Sequence, residues 1–144
     1  MDAISVHRRV DLDVSVDELW ELIADPTHLA TWLAEEVLLD LIQGGTGTVV
    51  DDGIRRLVHV DQVEHGRAIG FTWWEQDDAA MPSRVVFEIT ATRGGGSRLD
   101  ITETLDATLA AHASLAQEAT DRAARWEVRV CALWACTVVA ALVP

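Results

Sequence analysis

Alternating strands separated by a glycine turn decide the fold, and they lie in the middle of the chain. Residues 54–76 read IRRLVHVDQVEHGRAIGFTWWEQ. Apolar side chains recur at every second position on both sides of His65-Gly66, a period that is typical of strands with one buried face. The glycine can adopt the positive φ angle of a tight hairpin. The stretch therefore predicts two adjacent antiparallel strands.

The same pattern extends in both directions from this stretch. It predicts six consecutive strands, at residues 36–42, 46–51, 54–64, 68–76, 83–93 and 97–105. Short turns rich in glycine separate most of them, at residues 44–45, 51–53, 65–66 and 94–96. The longest connection is 76–82, which is rich in Asp and Ala and which we expect to be irregular. Successive hairpins predict an antiparallel meander.

One strand and two short helices precede the meander. Residues 4–14 alternate between apolar and polar side chains and predict a half-buried strand. Ser15 stands three residues before Glu18, which is the spacing of a capping box at a helix start. A second short helix begins at Asp25-Pro26, with proline at the first helical position.

The C-terminal part of the chain predicts one long helix. Its helical period begins between Ser114 and Thr120 and continues nearly to Pro144. A broad stripe at spacings of three and four is typical of a helix face that packs on a core, and it includes Trp126, Val130, Leu133, Trp134 and Thr137. Beyond Val130 the helix is apolar on all sides, so the rest of the domain or a second copy of the chain must cover its other face. Because a membrane span needs about 20 apolar residues, we expect no membrane helix.

This order of elements predicts an α+β fold, β-α-α-β6-α, in a single domain of residues 1–144. A sheet with one solvated face must bury the other, and only the terminal helix is long enough to cover it. We therefore expect a bent antiparallel sheet wrapped around that helix. Since one helix cannot fill so curved a sheet, we also expect a cavity between the two.

Several motifs carry a family resemblance. In chain order they are Asp17-Glu18-Leu19-Trp20, Ala24-Asp25-Pro26, Trp32-Leu33, Gly44-Gly45, Ile69-Gly70-Phe71-Thr72-Trp73 and Trp126. They resemble the activator-of-Hsp90-ATPase-homologue-like branch of the START/Bet v 1 (SRPBCC) superfamily, over nearly the whole chain. The resemblance implies the helix-grip fold. It also implies binding of hydrophobic small molecules, although some members are cyclases or aromatases, so the fold does not settle the activity.

Composition narrows the classes of partner. The chain has 144 residues, with 24 acidic side chains against 11 basic ones and a formal charge of −13. Such a charge disfavours nucleic acid and anionic membranes, both of which attract basic proteins. The apolar content of 49% excludes disorder. The first residues do not form a secretory signal, and Cys131 and Cys136 are too far apart around a helix to bridge, so we expect a cytoplasmic protein.

Strand parity selects the candidate site residues. Glu103 shares its face with Leu99, Ile101 and Leu105, and Arg8 is similarly placed among apolar residues of the first strand. The resemblance places those two strands side by side, so Arg8 and Glu103 could form a buried pair. A buried carboxylate needs such a partner. We interpret Glu103 either as half of a structural ion pair or as the polar anchor of a ligand.

Aromatic residues supply the rest of the candidate site. Five of the six Trp fall at positions predicted to face inward: Trp20, Trp32, Trp73, Trp126 and Trp134. Large aromatic side chains usually form core, but around a cavity they also suit an aromatic ligand. The predicted lining of the cavity is Trp32, Phe71, Trp73, Phe87, Glu103, Trp126, Val130 and Trp134.

The residues give no support to a catalytic or metal site. The five His have neither paired metal-ligand spacing nor companion Cys, so we expect no metal and no cofactor. His59 and Asp61 share one strand face and could form a general-base pair if that face pointed inward. Alternation instead predicts that Val58 and Val60 face inward. No nucleophile stands in a recognisable triad.

These observations favour a protein that binds a small hydrophobic, possibly aromatic, molecule without catalysis. The alternative is an enzyme of the polyketide cyclase or dehydratase kind, in which Glu103 or His59 moves a proton in the same cavity. A third hypothesis makes the apolar back of the last helix a surface for a homodimer or a protein partner. The sequence does not identify the ligand.

Overall fold

The computed structural model describes residues 3–106 and 112–142. In chain order the elements are β1 (Ala3–Leu12), α1 (Val16–Ala24), α2 (Pro26–Trp32), β2 (Glu36–Leu39), β3 (Thr46–Asp51), β4 (Ile54–Glu64), β5 (Ala68–Glu75), β6 (Asp78–Ala91), β7 (Ser97–Asp106) and α3 (His112–Leu142). A 3-10 turn at Arg93–Gly95 joins β6 to β7. The predicted order of elements is confirmed.

The strands form one antiparallel sheet in the order β1-β7-β6-β5-β4-β3-β2. From β2 to β7 each strand pairs with the next along the chain, which is the predicted meander. β1 then pairs with β7, and Val6 lies opposite Glu103. First and last strands are therefore neighbours, as the family resemblance implied.

Both predicted helix starts are confirmed. The Ser15 hydroxyl accepts a hydrogen bond from the Glu18 backbone N–H at 3.1 Å and lies 3.3 Å from the Glu18 carboxylate. The Asp25 carboxylate accepts from the Thr27 N–H at 2.9 Å, with Pro26 at the first helical position. These caps satisfy N–H groups that have no partner within a helix.

The predicted irregular connection at residues 76–82 is wrong. β6 begins at Asp78, which pairs with Glu75, so only Gln76 and Asp77 form the turn. Asp and Ala are poor strand formers, but pairing with a neighbouring strand overrides such a preference. The register shifts between Trp73 and Glu75, so the end of this hairpin is bulged.

The face that α3 turns to the sheet differs in part from the predicted stripe. Its buried side chains recur at spacings of three and four, and they are Arg122, Trp126, Arg129, Leu133 and Thr137. Val130 is half-buried, and Trp134 is 53% exposed, so the prediction that Trp134 faces inward is wrong. Successive helical residues point about 100° apart, and Leu133 takes the inward direction. Trp134 instead lines a surface groove beside Leu12 and Arg93.

The apolar interior lies between the inner face of the sheet and the three helices. Its largest fully buried side chains include Leu19 and Ile23 of α1, Trp73 of β5 and Trp126 of α3. The Trp32 indole N–H donates to the Leu22 carbonyl at 2.9 Å and ties α2 to α1. None of the described helices combines the length and apolar character needed to cross a bilayer.

Candidate functional site

A buried carboxylate lies at the centre of the site. Glu103 of β7 is fully buried, and it shares the inner face of the sheet with Ile101 and Leu105. Its Oε1 accepts from the Trp126 indole N–H at 2.9 Å, and its Oε2 accepts from the Trp73 indole N–H at 2.8 Å. Oε2 also accepts from the Ser83 hydroxyl and pairs with the Arg122 guanidinium. Four donors from β5, β6 and α3 therefore surround one carboxylate.

These contacts keep Glu103 ionised. Burial raises the pKa of Glu103, but the charge of Arg122 and the hydrogen bonds from Ser83, Trp73 and Trp126 outweigh burial and hold the pKa below its ordinary value. A general base needs a pKa near the working pH and a lone pair directed at a substrate. With its oxygens already occupied, Glu103 is suited to fixing structure rather than to moving a proton.

The predicted pairing of Glu103 with Arg8 is wrong. Arg8 lies opposite Ile101, which is two residues before Glu103 on β7. The Arg8 Nε donates to the Glu127 carboxylate at 3.0 Å. That pair is near the surface, with 36% of the Arg8 side chain exposed. Arg122 reaches Glu103 instead, because α3 crosses the inner face of the sheet directly above it.

The predicted aromatic lining is brought together, but its side chains pack on one another. Ring centroids are 5.6 Å apart for Trp32 and Phe87, 5.3 Å for Phe71 and Trp73, and 6.0 Å for Trp73 and Trp126. Each of these five rings is at most 4% exposed. They form a continuous aromatic core beneath α3, whereas Trp20 is half-buried beside His65.

Two further arginines, which the sequence reading missed, lie against this core. The Arg129 guanidinium is 4.5 Å from the ring centre of Trp126 and 5.3 Å from that of Trp73. Its Nε donates to the Leu33 carbonyl at 3.0 Å, and its Nη2 donates to the Asp51 carboxylate at 2.6 Å. Arg56 of β4 lies 4.9 Å from the same Trp73 ring centre. Cations stack favourably on the faces of aromatic rings.

Strand and helix spacing could have identified these arginines. Arg56 has the parity of Val58 and Val60, which are inward, and Arg122 and Arg129 stand four residues before and three after Trp126. Burial is the first cause that lowers the pKa of Arg129, while its bond to Asp51 raises it. Together with Arg122, these side chains place three buried cations in a protein of net charge −13.

An open groove adjoins one of these buried cations, Arg129, and we call it the α2–α3 groove. It runs between α2, the β3–β4 turn and one side of α3, with a volume of about 520 Å³. Its lining includes Trp32, Leu33, Asp51, Arg125, Val128 and Arg129. Ligand pockets typically measure about 300–1,000 Å³ and combine apolar walls with a few polar groups. The groove therefore has the size and lining of a small-molecule site.

The remaining titratable candidates do not form a catalytic or metal centre. His59 is exposed on the outer face of the sheet, and Asp61 accepts from the Arg84 guanidinium at 2.8 Å. The orientation of Val58 and Val60 toward the interior is confirmed. In the parts of the chain that the structure describes, no three His, Cys, Asp or Glu side chains are grouped to hold a metal ion.

This architecture defines the class of protein. A bent seven-stranded antiparallel sheet, two short helices after its first strand and a long C-terminal helix are the helix-grip fold of the SRPBCC superfamily. The family model described as activator of Hsp90 ATPase homolog 1-like protein matches residues 13–130. The chain belongs to that family.

Solved structures with the same fold are similar to this chain. DynU16, from the dynemicin biosynthetic locus, is 23% identical, with 90% of this chain and 45% of that one covered and a TM-score of 0.71. This chain therefore spans about half the length of DynU16. CalU16 from Micromonospora echinospora is 20% identical, with 92% and 81% covered and a TM-score of 0.68. No curated protein matches the sequence.

A third similar structure is the Aha1 dimer from Colwellia psychrerythraea, determined in solution. It is 11% identical, with 93% of this chain and 96% of that one covered, and the TM-score is 0.72. At identities this low, the likeness shows the fold and leaves ligand and activity open.

The substitution Glu103→Gln tests the buried network. It removes the charge that neutralises Arg122 and places an amide NH₂ among N–H donors, so we expect a loss of about 3–5 kcal/mol in unfolding free energy. Arg8→Met is the matched control. Because Arg8 forms a surface pair, its loss costs about 1 kcal/mol or less. Urea denaturation measures both, and equal losses would contradict the assignment of Arg122 as the partner.

The dependence of the unfolding free energy on pH provides a second test of the same carboxylate. Because its pKa is lower in the folded state, Glu103 contributes its full stabilisation above the ordinary glutamate pKa of about 4.3. That stabilisation is lost as the pH falls through the lower, folded value. We expect the unfolding free energy of the wild type to fall below about pH 4.3 and to fall less steeply in Glu103→Gln. Parallel slopes in urea titrations would show that Glu103 does not titrate on unfolding.

Proposed function

We propose that this protein binds a small, apolar, aromatic molecule in the α2–α3 groove. The observation that carries the proposal is the groove itself, whose volume of about 520 Å³ matches a small organic ligand. Leu33 and Val128 supply apolar wall, and Val128 is 70% exposed, so a ligand would remove its side chain from water. Burial of apolar area contributes about 25 cal/mol per Å².

The polar lining supports the same proposal. Two arginines, Arg125 and Arg129, line the groove together with the carboxylates of Glu35, Asp51 and Asp52, and Arg129 is already held by Asp51 and the Leu33 carbonyl. A side chain fixed in this way needs little further ordering when a ligand arrives, and such preorganisation favours binding. The aromatic core beneath Arg129 gives the groove a firm base.

The contacts of Glu103 favour binding over the alternative of a cyclase or dehydratase. Its two oxygens accept from Trp73, Trp126, Ser83 and Arg122, and its pKa is lowered. His59 lies on the opposite face of the sheet from the groove and the core. Proton transfer by either residue would require a substrate to displace these contacts or to bind on the outer face.

Filling the groove should abolish binding. Ala30 is exposed on α2 and lines the groove, so Ala30→Phe adds a ring where the ligand would lie. We expect at least about a tenfold loss of affinity, equivalent to about 1.4 kcal/mol, for aromatic compounds that bind the wild type. The readout is intrinsic Trp fluorescence across a panel of flavonoids, polyketides and fatty acids.

The matched control is Ala91→Phe, which adds the same ring at an exposed position at the end of β6, away from the groove and from α3. This variant should bind as the wild type does. A wild type whose fluorescence responds to no member of the panel would contradict the proposal, as would equal affinity in both variants.

We also propose that the outer face of α3 pairs with a second copy of the chain. Val128 and Trp134 are 70% and 53% exposed, and Cys131 and Ala135 are exposed between and beside them. Large apolar side chains grouped on one surface are typical of interaction sites. The Colwellia psychrerythraea protein of this fold was solved as a dimer.

Sedimentation tests directly whether two copies of the chain form this dimer. We expect a dimer at micromolar concentration and a monomer after Trp134→Glu, because a carboxylate would have to lose its hydration at the interface. Glu127→Gln, an exposed change on the same helix, serves as the control. A wild type that sediments as a monomer would exclude this pairing.

A further inference from the structure

Val128 of α3 belongs to two surfaces at once. It lines the α2–α3 groove, and at 70% exposure it also belongs to the outer face of the helix. A separation of three residues turns a helix by about 300°, so the two side chains end about 60° apart. Arg125, three residues earlier, lines the groove, whereas Cys131, three residues later, is exposed on the outer face. Val128 is therefore the ridge between the groove and the outer face.

The groove does not enclose a ligand by itself. Its walls are α2, the β3–β4 turn and one side of α3, and the remaining side is open. Binding sites typically bury about 70–90% of the surface of a small ligand. A molecule in the groove would therefore keep part of its surface in water unless something covers the open side.

The outer face of α3 gives that cover a place to bind. Cys131 and Ala135 are small, exposed residues between and beside Val128 and Trp134. Helix axes come closer together where the side chains at the contact are small. In a dimer with two-fold symmetry, the same patch of each copy contacts the other copy. A second α3 on this face would lie against Val128 and beside the mouth of the groove.

We propose that the second copy of the chain covers the open side of the α2–α3 groove, so that ligand binding and dimerisation strengthen one another. This inference rests on both parts of the proposed function, the groove and the pairing through α3. Ligand and second copy contact opposite sides of Val128, so they meet across this ridge and do not compete for it. The coupling arises because the second copy removes apolar surface of the ligand from water.

Coupling between two binding events is reciprocal. If dimerisation raises the affinity for the ligand about tenfold, the ligand tightens the dimer by the same factor for each groove filled, and about a hundredfold when both are filled. A variant that only damages the fold would not reproduce this relation. Two separately measured constants therefore have to agree.

Calorimetry with 2-naphthol, a neutral aromatic probe, measures the affinity for the ligand. Trp134→Glu disrupts the pairing and leaves the groove intact, because Trp134 lines the separate groove beside Leu12 and Arg93. We expect this variant to bind 2-naphthol at least about tenfold more weakly than the wild-type dimer. Glu127→Gln, an exposed change on the same helix, should bind as the wild type does. Dilution of the wild type until the dimer dissociates should reproduce the weaker binding without a substitution.

Sedimentation measures the second constant. Saturating 2-naphthol should lower the dimer dissociation constant of the wild type by about a hundredfold. It should leave that constant unchanged in Ala30→Phe, whose groove is filled by the added ring.

Cross-linking shows whether the outer face of α3 is the surface that pairs. Cys131 is exposed between Val128 and Trp134, so a short bismaleimide should join two copies through its thiol. We expect 2-naphthol to raise the yield of this cross-link. Cys131→Ser should abolish the cross-link, whereas Cys136→Ser, a change at the half-buried cysteine, should retain it.

The possible failures are distinct. Equal affinity of the wild type and Trp134→Glu for 2-naphthol would overturn the coupling and leave the groove as a binding site. Dissociation of the dimer by 2-naphthol would also overturn it, since ligand and second copy would then compete for Val128. A wild type that does not bind 2-naphthol would count against the groove, and one that stays monomeric with saturating 2-naphthol would count against the pairing. Either of these last results would overturn the inference together with that part of the proposed function.

Discussion

The buried carboxylate of Glu103 is the constraint on which the rest of the structure depends. An ionised group this deep is tolerated only when hydrogen bonds and an opposite charge replace its hydration. Here the replacements come from different elements: Trp73 from β5, Ser83 from β6, and Arg122 with Trp126 from α3. A slip of one residue in either strand pairing would turn a donor to the outer face of the sheet. The carboxylate therefore fixes strand register and the rotation of α3 together.

A second set of contacts links the Glu103 network to the walls of the α2–α3 groove. Once Trp73 and Trp126 are held by Glu103, their ring faces provide the surface on which Arg129 lies. Arg129 in turn bonds to the Leu33 carbonyl after α2 and to Asp51 at the end of β3. The three walls of the α2–α3 groove thus meet at one guanidinium. A binding surface is kept in shape by the same side chains that fill the core beneath it.

The sequence predicted the fold well because the fold depends on periodicity. Alternation and glycine turns placed the strands of the meander, and Ser15 and Asp25 marked the helix starts. Residues 76–82 were misread because strand pairing overrode poor local propensity. Glu103 was identified by its parity among apolar neighbours. Its partners were not, since they depend on how α3 rotates over the sheet, and sequence spacing alone fixes that angle poorly.

The arginines of the site show a second limit of sequence reading. Charged side chains are usually solvated, so Arg56, Arg122 and Arg129 were not selected as interior residues although their positions have inward parity. On α3 the true inward stripe passes through Leu133, and a rotation of about 100° separates it from Trp134. For Arg8 the choice of adjacent strands was correct, but its cross-strand neighbour is Ile101 rather than Glu103.

The position of β1 bears on how the chain acquires this structure during synthesis. Among the strands that the structure describes, β1 is hydrogen-bonded to β7 alone, and their register joins Ala3 to Asp106. Strand β1 therefore has no partner in the sheet until β7, about 90 residues later, has been synthesised. Glu103 gains its ion pair and its second indole hydrogen bond later still, because Arg122 and Trp126 follow it in the sequence. Contacts so distant in sequence slow folding, so the sheet and its buried carboxylate can be completed only after α3 has been synthesised.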